Sequence, residues 1–193
     1  MINSNYTLLG LQTGTTRKVL IQRHLVPTAI FKTKVLGPAL VERLGLVGDE
    51  QADPTVHGGL DKAVYAYPSE HYGFWRQARA DAGVSGIDSD LACGAMGENL
   101  SLKGLSEADV WVGDVLQFAN CSLRVTQPRE PCFKFNAAMG FNQAVKQMVQ
   151  SGHCGFYLAV NQTGSIQAGE QFTLQAGARK ISITEAFQFK MFG

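Results

Sequence analysis

Cys121-Ser122-Leu123-Arg124-Val125-Thr126-Gln127-Pro128-Arg129-Glu130-Pro131-Cys132-Phe133-Lys134 carries the chain from a strand pattern into a helix pattern. Cys121, Leu123 and Val125 alternate with Ser122, Arg124 and Thr126, which is the period of a half-buried strand. Pro128 ends that strand, because it lacks an N–H and holds the preceding residue extended. Pro131 suits the first position of a helix, where a missing donor costs nothing. Cys132 then falls in the first helical turn, among unpaired N–H groups and the positive end of the helix dipole. Arg129 and Lys134 place two cations nearby. A helix N-terminus with cations is the setting that favours a thiolate near neutral pH. The competing reading is a buried, inert cysteine, since Cys is among the most buried residue types.

Working outward, Val110 and Val112, then Val115 to Phe118, then Cys121 to Thr126, read as antiparallel strands joined at Gly113-Asp114 and Ala119-Asn120. Downstream, Phe141, Ala144, Val145, Met148 and Val149 give the apolar stripe of an amphipathic helix that Ser151-Gly152 closes. Phe156 to Val160 and Ser165 to Leu174 read as strands, and Thr184-Glu185 opens a last helix. Near the start, Leu8 to Leu11, Lys18 to Ile21 and Ile30 to Leu36 read as strands. Ala63 to Tyr67 is another, followed by a helix with Tyr72, Trp75 and Ala78 on one face. Between them Gly45 to Asp61 is rich in Gly and Asp, the composition of a shaped functional loop. The fold class expected is α+β, mainly β.

Composition sets limits. At 193 residues the chain buries a sizeable core without disulfides or metal staples. A formal net charge of +1 argues against non-specific nucleic-acid binding, so an anionic ligand must be met by a local cluster of cations. No apolar run approaches membrane-spanning length, and the first residues show no signal-peptide pattern. The four cysteines, at 93, 121, 132 and 154, show no zinc spacing and read as reduced thiols of a cytoplasmic protein. His57-Gly58-Gly59 resembles an esterase oxyanion loop, but the nucleophile elbow that reading needs is missing from the sequence. A thiol-dependent transferase or hydrolase using Cys132 and His57 is the remaining form of that idea.

Three segments together resemble a known family. Val56-His57-Gly58-Gly59-Leu60-Asp61-Lys62-Ala63-Val64, Gly94-Ala95-Met96-Gly97-Glu98-Asn99-Leu100 and Gln127-Pro128-Arg129-Glu130-Pro131-Cys132 stand in the order and spacing of the MOSC domain, the module at the C-terminus of molybdenum cofactor sulfurases. Gly45 to Asp53, His71-Tyr72, Trp75 and Gly155-Phe156-Tyr157 make the likeness that of the YiiM-like branch, over residues 5 to 175. The resemblance implies a β-barrel-like fold with helical connections, as a MOSC domain over residues 1 to 180 and a tail over 181 to 193 in place of the usual three-helix appendage. It implies a molybdenum-pyranopterin cofactor, with Cys132 as metal ligand or sulfur acceptor; beside it His57 reads as a hydrogen-bond partner or proton donor, or as part of a capped turn, so that Cys132 and His57 are the candidate catalytic residues. His57, Asp61, Lys62, Glu98, Asn99 and Arg129 fall on its cofactor-binding motif positions.

The activity implied is reduction of N-hydroxylated small molecules with electrons from a separate flavin- or iron–sulfur-containing protein. The alternative is a non-catalytic carrier of the cofactor, or of persulfide sulfur on the same cysteine. Neither a nucleic acid nor a membrane is implied as partner. One departure stands out: His153 occupies a position where the resemblance expects Arg. On their own chemistry, Arg129 suits bidentate binding of the cofactor phosphate and Lys62 adds a point charge. Asn99 offers donor and acceptor to a pterin edge. His24 and His71 read as structural.

Overall fold

Strand pairing around the molecule returns to its starting strand. The computed structural model describes residues 6–53, 58–84 and 91–193. Its strands are β1 (Tyr6–Thr13), β2 (Arg17–Ile21), β3 (His24–Thr28), β4 (Thr33–Lys34), β5 (Ala39–Glu42), β6 (Gly45–Leu46), β7 (Val64–Pro68), β8 (Leu100–Lys103), β9 (Val115–Gln117), β10 (Ser122–Pro128), β11 (Phe156–Gln162), β12 (Gly164–Ile166) and β13 (Gln171–Gln175). The helices are α1 (Tyr72–Asp81), α2 (Phe133–Met139), α3 (Ala144–Ser151) and α4 (Ile183–Phe192). The order β13-β9-β10-β11-β7-β8-β1 closes through β1 back to β13, giving a seven-stranded barrel. All its pairs are antiparallel except β7 with β8. Closure removes the unpaired edges that an open sheet would present. The expected mainly β barrel with helical connections is the fold observed.

Alternation fills the barrel. Leu8, Leu11, Val64, Leu100, Leu102, Leu116, Leu123, Val125, Phe156 and Leu158 are fully buried, and each such side chain contributes about 1.5–3 kcal/mol by leaving water. β7 is buried along its whole length. On its flank Trp75 of α1 packs edge-on against Phe135 of α2 at 5.2 Å and donates its indole N–H to Tyr67 Oη at 2.5 Å. A three-stranded sheet β12-β5-β6 and a two-stranded ribbon β2-β3 lie outside the barrel. No helix among the described residues is long and apolar enough to cross a membrane.

Several local expectations change. The strand expected over Ile30 to Leu36 is only the two-residue β4, while His24–Thr28, Ala39–Glu42 and Gly45–Leu46 are strands not expected from the sequence. Pro27 is tolerated in His24–Thr28 because a two-stranded ribbon leaves one side of each strand unpaired. Val110 and Val112 flank an isolated bridge, Trp111 to Ser182, and belong to no strand. Ser165 to Leu174 is broken into β12 and β13 by the turn at Gly169, whose φ is +95°. Residues 181 to 193 are mostly α4, opened at its N-terminus by a reciprocal Ser182/Glu185 capping box. Its Ile183 and Phe187 are buried in the core.

Gly155 sits where the barrel meets the cysteine segment. Its φ is +66°, and a Cβ there would lie 2.5 Å from the Ala66 carbonyl oxygen and 2.8 Å from the Tyr65 ring. Its carbonyl accepts the Arg129 N–H and its N–H donates to Glu107. Gly155→Ala is expected to cost about 2–5 kcal/mol, combining left-handed strain with overpacking. A thermal melt that left the midpoint unchanged would refute this.

Candidate active site

One cleft gathers most of the motif residues. It encloses about 700 Å³, part of it open solvent, between the end of β3, the loop 49–53, the turn Leu60–Lys62, β7 and the cysteine segment. Cys132, Arg129, Lys62 and Asn99 all line it. Asp61 and Glu98 do not, and His57 lies outside the described residues.

Cys132 is not within the first helical turn, as the sequence pattern suggested. It is the N-cap of α2, with extended backbone (φ −128°, ψ 168°), and its carbonyl accepts the Phe135 N–H. Pro131 therefore precedes the helix instead of opening it. No side-chain capping bond forms, and the residue is half-buried at the cleft wall. The other thiols differ. Cys121 is fully buried, and burial pushes its thiol up to about 12; burial also raises Cys154 well above the ordinary thiol range. Cys93 is half-buried beside Gly10 and does not line the cleft.

Arg129 is buried, with its guanidinium 4.9 Å from the centroids of both the Tyr65 and Phe135 rings. One nitrogen donates to the Met96 carbonyl at 2.7 Å and to Tyr65 Oη at 3.3 Å. Burial works to lower its pKa, yet the net direction is upward, and the hydrogen bond it donates to Tyr65 favours the cation. No carboxylate among the described residues forms an ion pair with it. A buried charge without an opposite charge is costly. An anion entering the cleft would meet that need.

The remaining motif residues divide by function. Lys62 places its ammonium 5.8 Å from the Tyr157 ring centroid, at the cleft. Asp61 turns outward, 3.6 Å from Arg124, while its carbonyl accepts the Thr126 hydroxyl. Asn99 ties β7 to β1, accepting the Tyr65 N–H and donating to the Gln12 carbonyl, with the cleft on its free side. Glu98 is fully buried and accepts from the Gly94 and Met96 N–H groups and from the Ser101 and Tyr72 hydroxyls. Burial raises its pKa against the lowering effect of those donors. Its carboxyl thus shapes the turn whose Met96 carbonyl holds Arg129.

Other cleft residues were not assigned a site role from the sequence, although Lys134 was noted beside Cys132 and Asp49 and Tyr157 lie in the segments that carry the resemblance. Lys32 and Asp49 form a buried ion pair at 2.5 Å, and Asp49 also accepts the Gly14 N–H. Tyr65 and Tyr157 supply aromatic faces, and Lys134 donates to the Pro27 carbonyl, tying the ribbon to α2. Lys32 and Tyr65 carried no local signal of a site role, because their cleft neighbours come from segments far apart in the chain.

His71, read from the sequence as structural, packs in a cluster away from the cleft. It stacks on His153 at 3.8 Å and bonds Glu107 at 2.7 Å, with Phe74 edge-on to His153 at 4.8 Å. Neither histidine lines the cleft. Burial, then His71, lowers the His153 pKa from 6.5, with Glu107 opposing. The folded state thus prefers neutral His153, while the unfolded chain takes up the proton first as pH falls. Stability from this residue is lost as pH drops through about 6.5 toward the lowered value. In melts from about pH 7.5 to about 5, His153→Phe should show a shallower decline than wild type; an equal slope would exclude the effect.

Comparisons with known proteins bear on the family and the fold. The MOSC domain family profile matches residues 53–173. YiiM of Escherichia coli is 34% identical over 160 residues, covering 83% of this chain and 69% of that protein. A protein of Gibberella moniliformis named reductase is 34% identical over 151 residues, 77% of this chain but 26% of its own length. The crystal structure of YiiM from Geobacillus stearothermophilus superposes with a TM-score of 0.76 at 30% identity, covering 97% of this chain and 84% of that one.

Proposed function

The chain belongs to the MOSC domain family, and from that membership and the cleft we propose that it is a molybdenum-cofactor-dependent reductase of N-hydroxylated small molecules. The family match and a relative named reductase support a molybdenum-cofactor-related oxidoreductase. The observation that carries the reading is the pairing, in one cleft, of a half-buried thiol with a buried guanidinium that has no carboxylate partner among the described residues.

The donor set fits the cofactor. A thiolate matches a soft, sulfur-rich molybdenum centre. Among the described residues Cys132 is the one thiol that lines the cleft, and a dithiolene would supply further sulfur ligands of its own. Arg129 would hold the cofactor phosphate, Lys62 would add charge, and Asn99 would meet the pterin edge. When bound, the cofactor supplies the two-electron chemistry at the N–O bond.

The protein's own residues do the rest. Cys132 would hold the metal from the cleft wall. Tyr65 and Tyr157, whose hydroxyls burial keeps neutral, wall the cleft with ring faces. Gln51 accepts the Gly59 N–H, and His57 is our proposed proton donor. Conversion of an N-hydroxyl to an amine consumes two electrons and two protons and releases water. A separate flavin- or iron–sulfur-containing protein in the cytoplasm would supply the electrons.

Elemental analysis of protein made in a cofactor-competent host tests the reading. About one molybdenum per chain is expected, together with reduction of a hydroxylated amine by reduced methyl viologen. A labile extra sulfur on Cys132 without molybdenum would favour the carrier reading instead.

A further inference from the structure

The ribbon β2-β3 stands apart from every sheet of the fold. Its two-residue turn places Gln22 and Arg23 at φ +48° and +69°, a conformation ordinarily left to Asn and Gly. An isolated two-stranded ribbon is marginal in water, so a strained turn there has no evident structural return. Cross-strand pairing sets Leu20 opposite Leu25, and Lys18 opposite Pro27, on one face. The two leucines are 67% and 65% exposed. Arg17, Lys18 and Arg23 are exposed as well, and none forms an ion pair among the described residues.

Charge is distributed unevenly along the chain. The first 41 residues hold Arg17, Lys18, Arg23, Lys32 and Lys34 and no Asp or Glu, which leaves residues 42–193 at a formal −4 within a net charge of +1. Of these five cations Lys32 is neutralised by Asp49 in the cleft, so the uncompensated charge lies on and beside the ribbon. An apolar centre with a charged rim is the anatomy of a protein–protein contact. Nucleic acid would be met by aromatic stacking surfaces, whereas this face offers leucines.

The ribbon also reaches the cleft. Thr28, its last residue, lines the cleft with Cys132, and the Pro27 carbonyl accepts from Lys134, two residues beyond Cys132. We propose that the β2-β3 ribbon is the docking arm for an acidic protein with an apolar-centred face, the flavoprotein that delivers electrons to this cleft. The assignment of electron delivery rests on the reductase reading; the acidic partner follows from the arm itself. In each turnover the donor flavin is oxidised by two electrons, and the N-hydroxyl becomes an amine and water as two protons are taken up.

The test uses cofactor-loaded protein with two donors, reduced flavodoxin (a small acidic flavoprotein) and reduced methyl viologen. Lys18→Glu with Arg23→Glu, and separately Leu20→Ser with Leu25→Ser, should raise the KM for flavodoxin tenfold or more. The charge variant should also lose the salt dependence of that KM, with viologen-driven kcat within twofold of wild type and the melting curve retained. Unchanged flavodoxin kinetics would overturn the proposal, as would equal loss with both donors. So would arm-dependent binding of single-stranded oligonucleotide, or arm-dependent self-association by light scattering, in place of flavodoxin binding. Failure of wild type with viologen would count against the reductase reading alone. Calorimetric titration of flavodoxin onto wild type and arm variants then decides the docking question, and absence of arm-dependent binding overturns it.

Discussion

Replacing Cys132 by Ser is expected to reduce molybdenum retention and N-hydroxyl reduction by on the order of 100-fold or more, because a hydroxyl is a poor ligand for a soft metal centre. The fold should survive. Cys132 is half-buried, its side chain makes no capping bond, and the backbone contact to Phe135 is independent of the side chain. Cys93→Ser should leave metal content unchanged, since that thiol does not line the cleft. Metal analysis and melting curves on the same preparations separate ligation from folding. Wild-type metal content and activity in Cys132→Ser would end the ligand assignment.

Arg129 carries the second large effect. Lys at this position keeps a charge and one donor for the Met96 carbonyl, but loses the planar fork that grips a phosphate. Arg129→Lys should weaken cofactor retention about 10- to 100-fold with a small change in melting temperature. Arg129→Ala should in addition destabilise the fold by about 2–4 kcal/mol, because the Met96 carbonyl loses its partner and the Tyr65 and Phe135 rings lose their contact. If Lys held the cofactor as well as Arg, the guanidinium would be structural only. Denaturation and cofactor release, measured in parallel, decide between these.

The Glu98 turn shows how fold and site are coupled. Four donors converge on its carboxyl, and the turn they shape presents the Met96 carbonyl to Arg129. The motif that holds Glu98 was legible as a sequence pattern. Its role as an internal brace was not, because a carboxyl in a Gly-flanked turn reads equally well as an exposed ligand.

By itself the sequence determined the periodicities. Strand alternation around Val125, the stripe of α3 and the capping pair of α4 are local, so neighbouring residues suffice to specify them. It also supplied the three motif segments that now border one barrel, and the cysteine worth singling out. Only tertiary structure decided that Lys32 neutralises Asp49, that His71 stacks on His153, and that Arg129 is buried without a carboxylate partner among the described residues. Each depends on residues 17 to 82 positions apart in the chain. Barrel closure brings such residues together, and charge pairing between them has no signature in either segment alone.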